Sequence, residues 1–150
     1  MAIATGTMTI TVTESLDVGT TVMDTATSVA TTVTVNDIYK RVILCPMSEV
    51  TLYDTHASNV AGSTFDEDLI TYMRITNHDS ANFVTLRLVD GNSDMFVYKL
   101  AATKTFILGT HKTCMSAKEA EATGGIDASI ASVKAQADSG ACDLEIVIAS

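Results

Sequence analysis

A chain of 150 residues is long enough for one domain with a sizeable hydrophobic core. Hydrophobic residues make up 47% of the chain and charged residues 18%, a globular composition that excludes an intrinsically disordered protein. The formal net charge is −9 and the nine Lys and Arg residues form no basic stripe, so the sequence predicts no nucleic-acid partner.

The first segment, residues 1–13, predicts a half-buried strand. Met8, Ile10 and Val12 alternate with threonines, a pattern typical of a strand with one apolar and one hydroxyl face. The segment lacks the basic start and continuous apolar run of a secretory signal, and no later stretch reaches the ~20 apolar residues of a membrane span. We therefore expect a protein made in a cytoplasm, with no membrane partner.

Two further segments, 20–35 and 38–45, also predict strands. The first is rich in threonine and valine, whose β-branched side chains pack well on a pleated sheet, and it predicts one or two strands. The second is ended by Pro46, which has no N–H for a sheet hydrogen bond. Its alternation places three apolar residues on one face: Ile38, Val42 and Leu44.

The longest polar connection, residues 56–68, follows a short predicted strand at 50–54. Long polar loops often carry binding residues, so this one is a candidate for contacting a partner. Its acidic run from Phe65 to Asp68 suits a basic partner or a cation in one interpretation. In the other, more ordinary interpretation it is a solvated loop.

From residue 69 onward the strand pattern becomes regular, with apolar stretches every 10–13 residues joined by turns of Asn, Asp, Ser and Gly. This spacing is typical of a meandering β-sandwich or barrel. The predicted strands are 69–76, 82–89, 94–101, 105–110 and 112–117.

The last 32 residues, 119–150, fit more than one interpretation. Residues 119–125 are helix formers ended by two glycines, and they suit either a short helix or a loop. Residues 129–150 fit a helix followed by a strand, or a hairpin turning at Asp-Ser-Gly. We favour the hairpin because apolar residues alternate on both sides of the turn. With one proline and no linker-like run, the chain predicts a single all-β domain over 1–150, an antiparallel β-sandwich.

A run at Asp90, Asn92 and Asp94 matches the first three ligand positions of an EF-hand calcium loop. The later positions do not match, because Met95 stands where the loop needs glycine and Ala101 where it needs glutamate. The run therefore predicts a hairpin turn, with calcium binding in an irregular loop as the alternative.

A general base is a second chemical hypothesis, suggested by His78 beside Asp79. Adjacent residues in a turn do not easily face each other, and no Ser or Cys lies in a nucleophile elbow. We interpret the segment as a polar turn in which Asn77 and Asp79 cap backbone groups. The sequence predicts no catalytic residue and no enzyme.

Metal and sugar sites have little support in the sequence. No C-x-x-C pair occurs among the three cysteines, Cys45, Cys114 and Cys142. We expect each to be a small, buried apolar side chain in a protein from a reducing compartment. His56 and His111 are isolated, so no zinc spacing and no cofactor is predicted. A chain with no Trp, four Tyr and four Phe offers few aromatic platforms for carbohydrate.

Residues 73–109 resemble a pattern in small structural proteins of tailed bacteriophages. A strand ending in I-x-N meets a D-x-x-N-[FY]-[VI] turn and strand, followed by a strand ending in K-L and a corner into an F-x-L strand. The ending DLEIVIAS is also similar to the close of such chains. Family members often carry glycine at that corner, whereas here it is Ala101 to Lys104, so we expect a turn of a different type.

The resemblance implies a non-enzymatic virion protein with a jelly-roll-like sandwich, most simply a capsid decoration or cement protein. Such proteins bind the major capsid protein or other virion proteins on the outer capsid surface in many copies, often as trimers. The alternatives are a tail, connector or baseplate component, or a receptor- or glycan-binding module on the virion surface.

The predicted partner interface combines a terminal arm with the acidic loop. Residues 1–13 are apolar and rich in strand formers, and a terminal segment is free to reach a neighbour, so they form a candidate assembly arm or edge strand. The predicted interface residues are Ile3, Met8, Ile10, Val12, Phe65, Asp66 and Glu67.

Overall fold

The computed structural model describes residues 6–18, 21–54, 70–108 and 130–150, with side chains at all of these except 14–18 and 21–29. All regular secondary structure in these ranges is β-strand, which confirms the all-β prediction. The described residues include no helix that is long and apolar enough to cross a membrane. The strands are β1 (Gly6–Val18), β2 (Thr21–Val35), β3 (Ile38–Cys45), β4 (Val50–Asp54), β5 (Tyr72–Asn77), β6 (Val84–Asp90), β7 (Met95–Leu100), β8 (Thr105–Leu108), β9 (Ile130–Ala137) and β10 (Cys142–Ala149).

Contacts group the chain into two compact units, Met1–Asn36 and Asp37–Ser150. The first holds β1 and β2, and the second holds the other eight strands. A two-stranded ribbon has no layered core of its own, whereas a domain is defined by one. The single domain over 1–150 therefore stays a prediction, as does the assembly arm at 1–13.

The first unit is an antiparallel ribbon, which we call the ribbon, formed by β1 and β2. Its register pairs Gly6 with Val35 and Val18 with Thr21, with one irregularity between Glu14 and Leu16. Alternating threonine and apolar residues explain this structure, because β-branched side chains favour extended backbone.

The second unit is built from two four-stranded antiparallel sheets, as the predicted sandwich requires. The first sheet has the order β3-β10-β5-β8, and the second has the order β4-β9-β6-β7. Their inward residues form one core; Ile75, Leu86, Val133 and Ile146 are completely buried. Burying a side chain of this size contributes about 1.5–3 kcal/mol.

The eight strands of this unit pair in a nested pattern. The first strand of the unit pairs with its last strand, and each following strand pairs with the one that precedes the last partner. The four pairs are β3 with β10, β4 with β9, β5 with β8 and β6 with β7. Two further pairs, β10 with β5 and β9 with β6, complete the sheets. Among the described strands of this unit, β6 and β7 are the one consecutive pair that shares a sheet.

This pairing corrects two predictions about how strands connect. The segment 129–150 contains two strands and no helix, but β9 and β10 lie in different sheets, so the predicted hairpin is wrong. The predicted meander fails for the same reason between β5 and β6 and between β7 and β8. A tight polar turn serves a crossing between sheets as well as a hairpin, so the turn residues alone do not decide which one forms.

Most predicted strand positions are confirmed within a few residues. The bounds at 38–45 and 50–54 agree with the structure, and β3 ends directly before Pro46. The stretch 20–35 is one strand from Thr21. Predicted elements at 112–117 and 119–125 lie outside the described residues.

Candidate interaction surfaces

The two faces of the ribbon differ sharply in chemistry. Residues directly opposite each other in an antiparallel pair lie on the same face. One face carries Met8 opposite Val33, with Ile10 and Val12 further along β1; Val12 is 50% exposed. The other face carries exposed threonines, namely Thr7, Thr9, Thr11, Thr13, Thr32 and Thr34.

The ribbon also differs from the rest of the chain in charge. Residues 1–39 contain no Lys or Arg, and the stretches 6–13 and 28–35 contain no charged residue at all. The three charged residues of the ribbon are acids near its turn: Glu14, Asp17 and Asp24. Most of the ribbon is therefore neutral, and its turn end is negative.

A second apolar surface lies on β3, and we call Ile38, Val42 and Leu44 the β3 stripe. Alternation placed these three residues on one face, and the structure shows that this face points outward. Their exposed fractions are 59%, 58% and 63%. The opposite face of β3 supplies Tyr39, Ile43 and Cys45 to the core. Because β3 is an edge strand, the stripe borders an open row of backbone N–H and C=O groups.

An ion-pair network lies beside the β3 stripe on the outer face of the first sheet. The Lys40 Nζ lies 3.0 Å from Glu145 Oε2, and the guanidinium of Arg74 contacts the other carboxylate oxygen. These groups belong to three neighbouring strands. The hydrogen bond from Lys40, aided by Arg74, holds the pKa of Glu145 below its ordinary value.

Another exposed apolar edge is on β7, in the second sheet. Met95 is 51% exposed and Val97 is 53% exposed, and Lys99 follows them on the same face. The Lys99 Nζ lies 3.9 Å from the centroid of the Phe83 ring. A lysine on an edge strand discourages pairing with another sheet.

His78, the hypothetical general base, lies in a turn that Asn77 and Asp79 hold through backbone hydrogen bonds. The Asp79 Oδ1 accepts hydrogen bonds from the backbone N–H groups of Ala81 at 2.7 Å and Asn82 at 2.6 Å. These bonds hold the pKa of Asp79 below its ordinary value. Buried Asn77 accepts from the Asp79 N–H at 3.0 Å, so the predicted capping by Asn77 and Asp79 is confirmed.

The calcium-like run forms the predicted hairpin turn between β6 and β7. The Asp90 Oδ1 accepts from the backbone N–H groups of Asn92 at 2.9 Å and Asp94 at 2.8 Å. Ser93 has a φ of 69° and donates its N–H to the Asp90 carbonyl at 3.1 Å. Within the described ranges, no three His, Cys, Asp or Glu residues are grouped to hold a metal ion.

Two of the cysteines are cross-strand neighbours that sequence reasoning did not bring together. Cys45 on β3 lies opposite Cys142 on β10, and both are free and fully buried. Burial, together with Cys142, raises the pKa of Cys45 to about 11. The prediction that the cysteines are buried apolar side chains is confirmed for Cys45 and Cys142. Cys114 lies outside the described residues.

The predicted interface residues are only partly placed by the structure. Met8, Ile10 and Val12 share one face of the ribbon, whereas Ile3, Phe65, Asp66 and Glu67 lie outside the described residues, as do His56 and His111. The β3 stripe was missed as a surface, although its alternation was visible. The signal that distinguishes it is the second apolar set, Tyr39, Ile43 and Cys45, which occupies the core side of the same strand.

Comparison with known proteins identifies no relative. No protein-family model matches the chain, and neither a curated protein nor a solved structure is similar to it.

Proposed function

We propose that this chain is a non-enzymatic structural protein of a tailed-phage virion, a capsid decoration protein made in the host cytoplasm. It binds the major capsid protein or a neighbouring virion protein on the outer surface of the head. Its role is mechanical: many copies, each binding modestly, reinforce the shell through symmetry.

The observation that carries this proposal is the ribbon. Two strands alone are marginally stable in water, and an alternating apolar face is the pattern of a sheet covered on one side. Here the strands run for 13 and 15 residues, and Val12 on the apolar face is half exposed. Such an element gains stability when a second molecule covers it, as expected of a protein that assembles.

The nested pairing of the second unit supports a jelly-roll fold for the sandwich. A jelly roll has eight antiparallel strands in two sheets and occurs in viral capsid proteins, lectins and cupins. The pairs β3 with β10, β4 with β9, β5 with β8 and β6 with β7 follow that arrangement. Because the fold hosts several functions, it is compatible with a virion role without establishing one.

The chemistry of the polar turns agrees with a role other than catalysis. The Asp79 and Asp90 carboxylates each accept two backbone N–H groups, so both serve to hold a turn. Their chemistry is that of Asx turns.

A glycan-binding module on the virion surface is the second candidate, favoured by an aromatic cluster. Tyr98 is 38% exposed, and its ring centroid lies 4.9 Å from that of Phe106 and 6.5 Å from that of Phe96. Exposed aromatic rings stack on sugars, and lectins share the jelly-roll fold.

The copy number of the chain in purified virions tests the proposal. Gel densitometry against the major capsid protein should give a copy number on the order of hundreds, as symmetric coverage of a head requires. A copy number of tens or fewer would assign the chain to the tail, connector or baseplate. Its absence from particles, with retention of the isolated protein on host polysaccharide, would favour the glycan-binding module.

A further inference from the structure

We propose that Cys45 and Cys142 form a redox-sensitive disulfide site, which joins the first and last strands of the second unit when the protein meets an oxidising medium. Both cysteines are free thiols in this structure. The site goes beyond the proposed function and does not depend on it, because it follows from the sheet register and belongs to the isolated protein.

The two thiols lie on the same side of neighbouring strands. Cys45 on β3 is directly opposite Cys142 on β10, and residues directly opposite each other in an antiparallel pair share a face. Both side chains belong to the hydrophobic core, and neither is exposed. Each cysteine is therefore the direct cross-strand neighbour of the other.

The register of the ladder sets the spacing of the pair. Asp37 and Ser150 exchange two backbone hydrogen bonds of 3.1 Å, and the pairing of β3 with β10 continues from there to the cysteines without an irregularity. Hydrogen-bonded pairs recur at every second position, and Cys45 follows Asp37 by an even number of residues. Cys45 and Cys142 are therefore also a hydrogen-bonded pair, with Cα atoms about 5.5 Å apart. Disulfides join Cα atoms that are about 4.4–6.8 Å apart, so the backbone spacing suits the bond.

The two side chains must move closer for the bond to form, and the position of β3 allows this movement. Cβ atoms of a hydrogen-bonded pair are about 5.5 Å apart, whereas a disulfide needs about 3.5–4.5 Å. β3 is an edge strand of its sheet, and Cys45 is its last residue before Pro46. The end of an edge strand can shift by ~1 Å more easily than a central strand. Because a bond closed in this way is strained, a dithiol should reduce it readily.

The described residues around the pair hold the two sulfurs only weakly. The Cys142 Sγ donates to the Gly140 carbonyl at 3.4 Å, and the Cys45 Sγ donates to the Pro46 carbonyl at 3.7 Å. The described part of the chain contains no group of three His, Cys, Asp or Glu residues that could hold a metal ion at this point. Burial raises the pKa of both thiols, so they stay protonated and react slowly while the strand ends are closed.

Oxidation is expected through local opening at the ends of the two strands. Cys45 ends β3 and Cys142 begins β10, and Asp138 and Ser139 in the preceding turn are exposed. Strand ends open at a lower free energy than the core of a sheet. A small oxidant therefore reaches the thiols without unfolding of both sheets.

A small disulfide such as oxidised glutathione forms the bond in two exchange steps. The thiolate of one cysteine attacks a glutathione sulfur, which breaks the glutathione S–S bond and releases one glutathione thiolate. The thiolate of the other cysteine then attacks the cysteine sulfur of this mixed disulfide and releases the second glutathione thiolate. The cysteines lose two electrons to glutathione, and their two protons end on the released thiolates.

The cross-link would enclose most of the second unit. Strands β4 to β9 lie between the two cysteines in the chain, so the bond closes a loop of roughly 100 residues. A loop of this length strongly restricts the unfolded chain, which raises the stability of the folded state. We expect the Tm of the oxidised protein to be higher by at least ~5 °C.

Oxidation of the full chain carrying Cys114→Ser tests the site, because this background leaves only the two paired cysteines. Oxidised glutathione should remove both free thiols, give a peptide cross-linked between Cys45 and Cys142 in mass spectrometry, and raise the Tm by at least ~5 °C. Dithiothreitol should reverse all three effects. Cys45→Ser in the same background is the matched control, because a single thiol forms no internal bond and its Tm should not rise.

Peptide mapping of the oxidised wild type needs no variant, so the test holds even if a substitution prevents folding. Three results would overturn the inference: two thiols that stay free after oxidation in urea just below the unfolding midpoint, a bond from either cysteine to Cys114 in preference, or a cross-link that leaves the Tm unchanged. Each of these can occur together with a high copy number in virions, so failure here and failure of the proposed function are separable.

Discussion

At the scale of single residues, Thr103 has a φ of 61°, in the left-handed region that β-branched residues rarely adopt. It lies in the corner between β7 and β8, where Lys104 donates its N–H to the Ala101 carbonyl at 3.2 Å. The Thr103 N–H also donates to the Asp79 carbonyl at 3.0 Å, which holds this conformation in place. Related phage proteins often carry glycine at this corner, and because this chain does not, the resemblance led us to expect another type of turn. Thr103 nevertheless takes a conformation that glycine adopts without steric penalty.

Replacing Thr103 by glycine should therefore stabilise the protein. Relief of the left-handed conformation contributes about 1–2 kcal/mol, and the greater freedom of glycine in the unfolded chain offsets part of it. We expect a net gain of about 0.5–1 kcal/mol in the free energy of unfolding, measured by urea denaturation. Thr105→Gly, in the neighbouring strand, is the control and should destabilise; a loss of stability in Thr103→Gly would contradict the strain.

Asn77 is completely buried and holds the ends of several strands together. Its Nδ2 donates to the Asn82 carbonyl at 2.9 Å and also lies 3.4 Å from the Leu100 carbonyl. These contacts join the β5–β6 connection to the end of β7. Asn77 thus stabilises the point where the chain crosses between the two sheets.

The substitution Asn77→Ala should lower the free energy of unfolding by about 2–4 kcal/mol, because it removes side-chain hydrogen bonds to buried and part-buried backbone groups. Thermal and urea unfolding measure the loss. His78→Ala next to it removes an exposed side chain and should change stability by less than about 0.5 kcal/mol. Equal effects of the two substitutions would show that the network is unimportant.

At the scale of elements, Glu145 couples three strands of the first sheet through Lys40 on β3 and Arg74 on β5. Its pKa is lowered in the folded protein. A carboxylate with a lowered folded pKa stabilises the protein fully above its unfolded pKa, near 4.5. That contribution is lost as the pH falls through the lower folded value.

Glu145→Gln should therefore make stability less dependent on pH in the acid range. We expect the wild type to lose more stability than the variant between about pH 5 and pH 3, because only the wild type has this carboxylate to protonate. Urea midpoints across that range measure the difference. Asp143→Asn, an exposed acid on the same strand, is the charge-matched control, and an identical slope in Glu145→Gln and the wild type would refute the coupling.

Alternation along β3 shows how far an element can be predicted from its own residues. Ile38, Val42 and Leu44 share a face, as the pattern predicted, but that face is exposed. On the opposite face Cys45 is buried, and the partly buried Tyr39 and Ile43 pack against the core. When both faces of a strand carry apolar residues, period-2 spacing does not determine which one packs inward, because that depends on the sheet opposite.

At the scale of the whole molecule, the clustered core residues among the described side chains all belong to the second unit. We therefore expect the two sheets to keep their packing when the ribbon is shortened. Its contribution is expected in assembly, where a neighbour covers its apolar face.

Deleting residues 1–12 should weaken association with the virion while the sandwich stays folded. The deletion removes Met8, Ile10 and Val12 and leaves β2 without most of its partner strand. Occupancy on particles that lack the protein measures the first effect, and cooperative thermal unfolding of the truncated chain measures the second. Unchanged occupancy would refute the assembly role of the segment, and loss of cooperative unfolding would refute the independence of the sandwich.

The sequence by itself determined where most strands lie, which residues share a face, and which turns are capped by Asn and Asp. These features depend on neighbours a few residues apart, through period-2 geometry and local hydrogen bonds. The tertiary structure alone decided the nested pairing, the separate sheets of β9 and β10, the outward β3 stripe and the meeting of Cys45 with Cys142. Each of these is a contact between segments distant in the chain, and it is selected by the shared core, to which all eight strands contribute.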